Sequence, residues 1–401
     1  MSDQRDNKAS ALETFFVFLR LGLTSFGGPI AHIGYFRDEF VSRRHWLSEQ
    51  SYADLVALCQ FLPGPASSQV GLAVGLSRAG YTGALAAWLG FTLPSALALI
   101  LLAVGITGFA DGTVSSGLLS GLKVVAVAVV AQAVWGMARN LCPDTPRITL
   151  MVIATCLVLM LPTVYAQLGV IVAAGLAGLV MFKPPATDAI DDWQVPVSRG
   201  TGAFFLCLFF VLLFALPLLL QLFPSQTLAL IDSFYRAGSL VFGGGHVVLP
   251  LLQAEVVPTG WVQEDMFLAG YGAAQAVPGP LFTFAAFLGA SMTQAPTAWL
   301  GGIICLLAIF TPSFLLIAGA LPFWQQLRAN ARMQSALMGI NAGVVGLLLA
   351  ALYDPVWTSA ILGPQEFALA LLALVALMFW KLPSWLVVLL SGAAGWALAI
   401  L

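Results

Sequence analysis

"QFLPGPASSQ", residues 60–69, decides how this chain is read. Pro63-Gly64-Pro65 cannot continue a helix, because each proline lacks an N–H and Pro65 pushes Gly64 away from helical dihedrals. Two serines and a second glutamine follow, yet apolar sequence flanks the segment on both sides. A broken, polar backbone inside oily sequence needs a special setting.

The rest of the chain supplies that setting. Of its 401 residues 60% are hydrophobic and 8% charged, against about 25% charged in soluble proteins. Mean hydropathy is +0.95. Apolar runs such as 203–222 and 148–182 predict membrane-crossing helices. The N-terminal "MSDQRDNKAS" mixes both signs of charge and precedes a run interrupted by Arg20, unlike a cleavable signal peptide. A net charge of −2 without a basic patch leaves no footprint for nucleic acid. The five cysteines are scattered with no CxxC and read as small packing residues. His32, His45 and His246 form neither HxxxH nor HExxH, so no metal, cofactor or catalytic residue is expected.

The break occurs twice. "QAVPGP" (275–280) repeats "QFLPGP" (60–65), and the match extends outward. "RLGLTSFGG" (20–28) faces "RAGSLVFGGG" (236–245), Glu39 faces Glu255, and "WLSE" (46–49) faces "WVQE" (261–264). "FTLPS" (91–95) resembles "IFTPS" (309–313), and Gly121 with Lys123 falls opposite Gly339 with Asn341. The chain therefore divides into a cytoplasmic N-terminus (1–11), a first repeat (12–183), a polar cytoplasmic linker (184–202), a connecting helix (203–222) and a second repeat (223–401).

Corresponding loops carry opposite charge. Arg37, Arg43 and Arg44 precede the first PGP, whereas Glu255, Glu264 and Asp265 precede the second. The loop near 108–116 holds only Asp111, while its counterpart near 323–333 holds Arg328 and Arg332. Arg139 and Arg147 in 139–147 face Asp354 and Glu366 in 353–366. Loops rich in Lys and Arg stay in the cytoplasm, so the halves lie upside down to each other. The fold class expected is an all-α polytopic membrane protein of two inverted-topology repeats, with broken, re-entrant helices at the GG and PGP breaks. Such repeats are a signature of secondary transporters, and non-helical backbone at membrane depth is tolerated where it lines a cavity.

The stretch "FGGPIAHIGYFRDEFVSRRHWLSEQSYADLVALCQFLPGP", with its weaker second copy, resembles the chromate ion transporter family in its long, two-domain form. The resemblance covers nearly the whole chain. It implies export of chromate across the bacterial inner membrane and chromate resistance, with sulfate as a competing oxyanion and a homodimer left open. The second copy has Gly245 for Pro29 and no counterpart of Arg43-Arg44.

A tetrahedral dianion near the bilayer centre needs positive potential and several donors. Helix N-termini supply both. The candidate binding elements are Gly27-Gly28, Gly243-Gly244, Pro63-Gly64-Pro65 and Pro278-Gly279-Pro280, with the helices that follow them. Gln60, Gln275, Ser67, Ser68 and Thr283 add neutral donors. Arg20, Arg236 and Lys123 add full charges, which are costly in hydrocarbon without a partner. Each arginine could instead bind backbone carbonyls or snorkel, and Lys123 could pair with Asp54 or Glu39. His32, Glu39, His246 and Glu255 are candidates for proton coupling, although Glu39 could simply bridge to Arg37 or Arg43. Trp46, Trp88, Trp261 and Trp299 read as interfacial anchors. An oxyanion importer would use the same constellation. A channel has less need of the duplication, and a membrane enzyme lacks its acid pair, HExxH or GxSxG.

Charge asymmetry places the N-terminus, 37–50, 139–147 and 183–200 in the cytoplasm. It places 108–116, 250–265, 293–296, 353–366 and the C-terminus in the periplasm. In a cysteine-free background, Arg43→Cys should resist an impermeant thiol reagent applied to intact cells, and Gln294→Cys should react. Labelling of position 43 from outside refutes the assignment.

Overall fold

The computed structural model describes residues 10–108, 113–161, 163–184 and 197–400. Residues 1–9 of the N-terminus, 109–112 in the first loop and 185–196 in the linker lie outside the described residues. Among the described residues every regular element is helical. The first half comprises α1 (Ala11–Thr24), α2 (Gly28–Arg37), α3 (Glu49–Phe61), α4 (Ala66–Gly108), α5 (Thr113–Leu141), α6 (Thr145–Met160) and α7 (Val164–Met181). Then α8 (Arg199–Leu222) crosses alone. The second half comprises α9 (Gln226–Leu240), α10 (Val248–Val256), α11 (Glu264–Ala274), α12 (Phe284–Ala290), α13 (Ala298–Ala320), α14 (Trp324–Ala329), α15 (Ala331–Ala351), α16 (Thr358–Ala360), α17 (Pro364–Met378) and α18 (Ser384–Ile400).

The breaks fold the chain back on itself. α1 starts at its Ser10 cap and stops at Ser25, and the chain returns through α2. Glu13 at the start of this hairpin meets Arg44 at its end, 3.4 Å apart. The next hairpin runs inward along α3, turns at PGP and returns along 66–78. α4 changes direction at Ala79-Gly80, where Gly80 has φ 64°. The guanidiniums of Arg78 and Arg44 lie 4.8 and 5.1 Å from the Trp46 ring centre, so the ends of this hairpin also meet. In the second half Thr293 closes the corresponding hairpin, its N–H donating to the Trp261 carbonyl at 3.0 Å.

Among the described residues five helices are long and apolar enough to cross a membrane, and shorter apolar helices include Thr145–Met160, Tyr165–Met181, Pro364–Met378 and Ser384–Ala399. Each half thus contributes two hairpins and two of these five long helices, α4 and α5 in the first and α13 and α15 in the second. α8, with Phe204, Phe210, Phe214 and Leu218 facing outward, is the one long apolar helix that lies between the two halves among the described residues.

Lipid tails are as apolar as leucine, so helices in a membrane associate through close packing and hydrogen bonds. A Cβ at Gly121 of α5 would fall on the Ser391 carbonyl of α18, and one at Gly339 of α15 would fall on the Ala174 carbonyl of α7. These equivalent contacts each join one half to the other. Trp88 is buried against Phe310 and Phe314 in the same seam, not at an interface as expected, because its ring fills the space between the halves.

The PGP turns lock the seam. The Gly64 N–H donates to the Val241 carbonyl at 2.7 Å, and the Gly279 N–H donates to the Ser25 carbonyl at 3.0 Å. Each acceptor is the residue at which the other half's first helix ends. Gly64 and Gly279 have φ of +124° and +98°, a region that favours glycine. A Cβ there would lie 2.8 Å from Ser313 Oγ or 2.9 Å from Ser95 Oγ. Gly279→Ala should therefore destabilise the purified protein by about 2 kcal/mol or more, seen as a lower Tm in detergent. Gly105→Ala, where a Cβ meets nothing within 4 Å, should leave Tm unchanged or raise it slightly.

Candidate functional site

Between the halves lies a cavity of about 800 Å³. Both GG breaks wall it: Phe26 to Pro29 from one half, Gly243 to His246 from the other. They nearly touch. A Cβ at Gly245 would lie 3.0 Å from Pro29 Cγ, and one at Gly28 would lie 4.0 Å from His246 Nε2. α2 begins here, with its first-turn N–H groups unpaired by the helix itself.

The polar lining is neutral: Gln60, Gln132, Asn140, Gln275, Asn341 and Ser384, beside His246. No Asp, Glu, Lys or Arg is found among the described lining residues. Ser384 Oγ donates to the Gln275 carbonyl at 2.9 Å, while Gln275 Nε2 is buried without a partner. Along α5 the lining runs from Val129 to Leu141, a depth of about 18 Å at 1.5 Å per residue. The lining extends to the end of α5, next to exposed Arg139, and to the α17–α18 turn, which carries exposed Lys381.

The sequence-derived candidates separate into two groups. Gly27, Gly28, Gln60, Gly64, Gly243, Gly244, Gln275 and His246 line the cavity. Pro63, Pro65, Ser67, Ser68, Pro278, Gly279, Pro280 and Thr283 stand behind it. The Pro63 carbonyl accepts from Gln69 Nε2 at 2.7 Å. The Thr283 hydroxyl and N–H both donate to the Pro280 carbonyl. Ser67 Oγ lies 3.4 Å from His32 Nδ1, and His32 Nε2 lies 3.1 Å from the Ser25 carbonyl, so His32 is held within its own half. The glycine N–H groups of both PGP turns are engaged between the halves, and Gly64 also lines the cavity beside the two GG breaks, whereas Gly279 does not.

The expected cations also lie elsewhere. Arg236 binds Glu255 through two nitrogens at 3.0 Å and Asp232 at 2.9 Å, and Ser233 adds a hydroxyl bond to Glu255. Asp232 precedes Arg236 by one helical turn, so its carboxylate is fixed beside the guanidinium and meets its need for a counter-charge. Position 16, the equivalent of 232, is Phe, and Arg20 is exposed on the outer face. Lys123 pairs with Asp265 at 2.8 Å and bonds the Ser359 carbonyl, not Asp54 or Glu39. This tie joins α5 to α11, where Gly272 also packs on the Leu122 carbonyl, on the part of α5 that precedes its cavity-lining stretch. Glu39 binds Arg43 and Arg44 at 2.8 and 2.7 Å. Burial pushes its carboxyl up, but the two guanidiniums outweigh this and hold it below its ordinary value.

Sequence reading missed Gln132, Asn140 and Ser384, and noted Asn341 only as a match to Lys123. Gln132, Gly136 and Asn140 recur every fourth residue on one face of α5, and that polar stripe in an apolar run was the available signal.

The sequence profile described as Chromate transporter matches residues 12–179 and again residues 228–396. The chain belongs to the chromate transporter family. It is 28% identical over 408 residues to a chromate transport protein of Pseudomonas aeruginosa, covering 96% of this chain and 91% of that one. It is 26% identical to an uncharacterised transporter of Methanocaldococcus jannaschii, over 86% and 85% of the two chains. A Bacillus subtilis transporter, also uncharacterised, is 33% identical over 31% of this chain and 71% of its own length. No solved structure matches.

In this family member Arg236→Ala would leave Asp232 and Glu255 buried and unpaired, at a cost of about 3–5 kcal/mol. The expected result is low membrane abundance, measured by immunoblot. Normal abundance with abolished transport would instead place Arg236 on the ion.

Proposed function

We propose that this chain carries chromate from the cytoplasm outward across a bacterial inner membrane by alternating access, using the membrane potential, a proton gradient or both. The observation that carries this reading is the cavity walled by the two facing GG breaks and floored by neutral amides, in a member of the chromate transporter family. Amide groups and free helical N–H groups replace part of an oxyanion's hydration without fixing it by full charges, so the ion can also leave. The lining reaches the segments that carry Arg139 and Lys381, the side that loop charge assigns to the cytoplasm, and in this reading that end is the open one. The conformation is then inward-facing. The Lys123–Asp265 pair seals the outer end and must part when the exposure of the site alternates.

Membrane voltage favours the outward direction. An inside-negative potential of 100 mV contributes about 2.3 kcal/mol per charge, hence roughly 4.6 kcal/mol for an uncoupled dianion leaving the cell. An importer of sulfate or another oxyanion, the second reading the same donors allow, would have to overcome that amount by cotransport.

Chromate accumulation by inverted vesicles containing the protein, with and without an imposed potential, tests the proposal. Potential-stimulated accumulation is expected, and its absence in vesicles with abundant protein refutes export. Asn341→Leu removes one neutral hydrogen-bonding group from the lining, worth about 0.5–1.5 kcal/mol. The chromate concentration for half-maximal rate should rise roughly 2- to 12-fold at unchanged abundance.

A further inference from the structure

We propose that His246 is the proton-linked anion contact of the cavity: chromate binds together with one proton carried on the His246 imidazole. The proposal rests on the cavity being the chromate site. Its starting point is a charge deficit. A dianion entering this space meets no permanent cation among the described lining residues. Arg236 and Lys123 are held by carboxylates, and Arg20 faces outward. Helix N-termini each offer only about half a positive charge. A mobile proton is the remaining source, and it needs a base in the wall.

His246 is placed for this. Its Nδ1 lies 2.6 Å from the hydroxyl of fully buried Tyr271 on α11, which fixes the ring. Its Nε2 edge then faces Gly28, where a Cβ would lie 4.0 Å from it. When the imidazole is protonated, Nδ1–H donates to Tyr271 and Nε2–H points at an anion held between the GG breaks. When it is neutral, Nε2 presents a repelling lone pair if Nδ1–H donates to the tyrosine, or an uncharged N–H if the tyrosine O–H donates to Nδ1, and in both tautomers the positive charge is gone. The other titratable groups around it cannot replace it. Tyr35 and Cys59 in the same wall, and Tyr271 behind it, gain only negative charge on titration. Glu255, further along α10, is engaged by Arg236. Asn341 of α15, Met137 of α5 and Pro29 of α2, which also border the second GG break, do not titrate.

The two halves differ here. His32 is 1% exposed, with its two ring nitrogens against Ser67 and the Ser25 carbonyl, and does not reach the cavity. The pair of histidines therefore divides into one inert and one facing the ligand. Carrying a proton out with each chromate would halve the charge moved per cycle.

The test is chromate binding to purified full-length protein across pH 5.5 to 9, with proton uptake on binding read by an indicator dye in weak buffer. Chromate's own titration affects every variant equally, so the difference between variants is the readout. Wild type and His32→Gln should share one pH profile, with affinity falling up to tenfold per pH unit on the alkaline side. His246→Gln should bind more weakly at low pH, show a flatter profile and take up about one proton fewer. Tyr271→Phe, a change to the positioning residue, should displace the midpoint without flattening the profile. Retained Tm and gel-filtration elution certify each variant's fold. A His246→Gln profile and proton count identical to wild type overturn the proposal while leaving the cavity as the chromate site. Wild-type protein that binds no chromate at any pH overturns both.

Discussion

The structure depends on two reciprocal backbone hydrogen bonds, Gly64 N–H to the Val241 carbonyl and Gly279 N–H to the Ser25 carbonyl. In hydrocarbon an unpaired N–H or carbonyl costs several kcal/mol, so a helix may break only where something else satisfies the freed groups. Here each half breaks twice, and the donor exposed by one half's PGP turn meets an acceptor where the other half's first helix stops. Neither half could keep its breaks alone. The duplication thus supplies the partner for one backbone N–H at each PGP turn. The small-residue seams α5–α18 and α7–α15 follow from the same need, since the turns meet only if the surrounding helices approach backbone to backbone.

That division of labour leaves the GG breaks free. The PGP turns hold the halves together, and the GG breaks, one helix away, face the space between them. The cavity is polar without being charged because the available cations already have carboxylate partners. Arg236 with Asp232 and Glu255, Lys123 with Asp265, and Arg43 and Arg44 with Glu39 form structural pairs around the site, not inside it. An ion bound by dipoles and amides is held less tightly than one bound by fixed charges, which suits a site that must release its cargo on every cycle.

Much of this was legible in the sequence because helix breaks are written in residues with few alternatives. Gly-Gly and Pro-Gly-Pro in apolar runs state their own conformation, and their recurrence gave the duplication and several lining residues, while the expected inversion rested on the loop charges. Which break faces the cavity was not legible. That depends on contacts between residues far apart in the chain, such as Gly64 with Val241 and Gly279 with Ser25, and local sequence does not encode them. The arginines misled for a related reason. An Arg in a membrane helix needs a partner, but the sequence does not say whether the partner is a substrate or a carboxylate. For Arg236 the acid one turn back at Asp232 was a usable clue, whereas the pairing of Lys123 with Asp265 across the halves was not.

α8 touches little of the core and turns most of its surface outward, yet it links the two halves whose breaks exchange the reciprocal bonds. Two unlinked copies of either half could form the same interlock only by inserting in opposite senses, one of each pair against the preference set by its loop charges. Joining them through one extra crossing makes opposite insertion a property of a single polypeptide. It also frees the loops of the two halves to acquire opposite charge, so that each half is held in its own orientation.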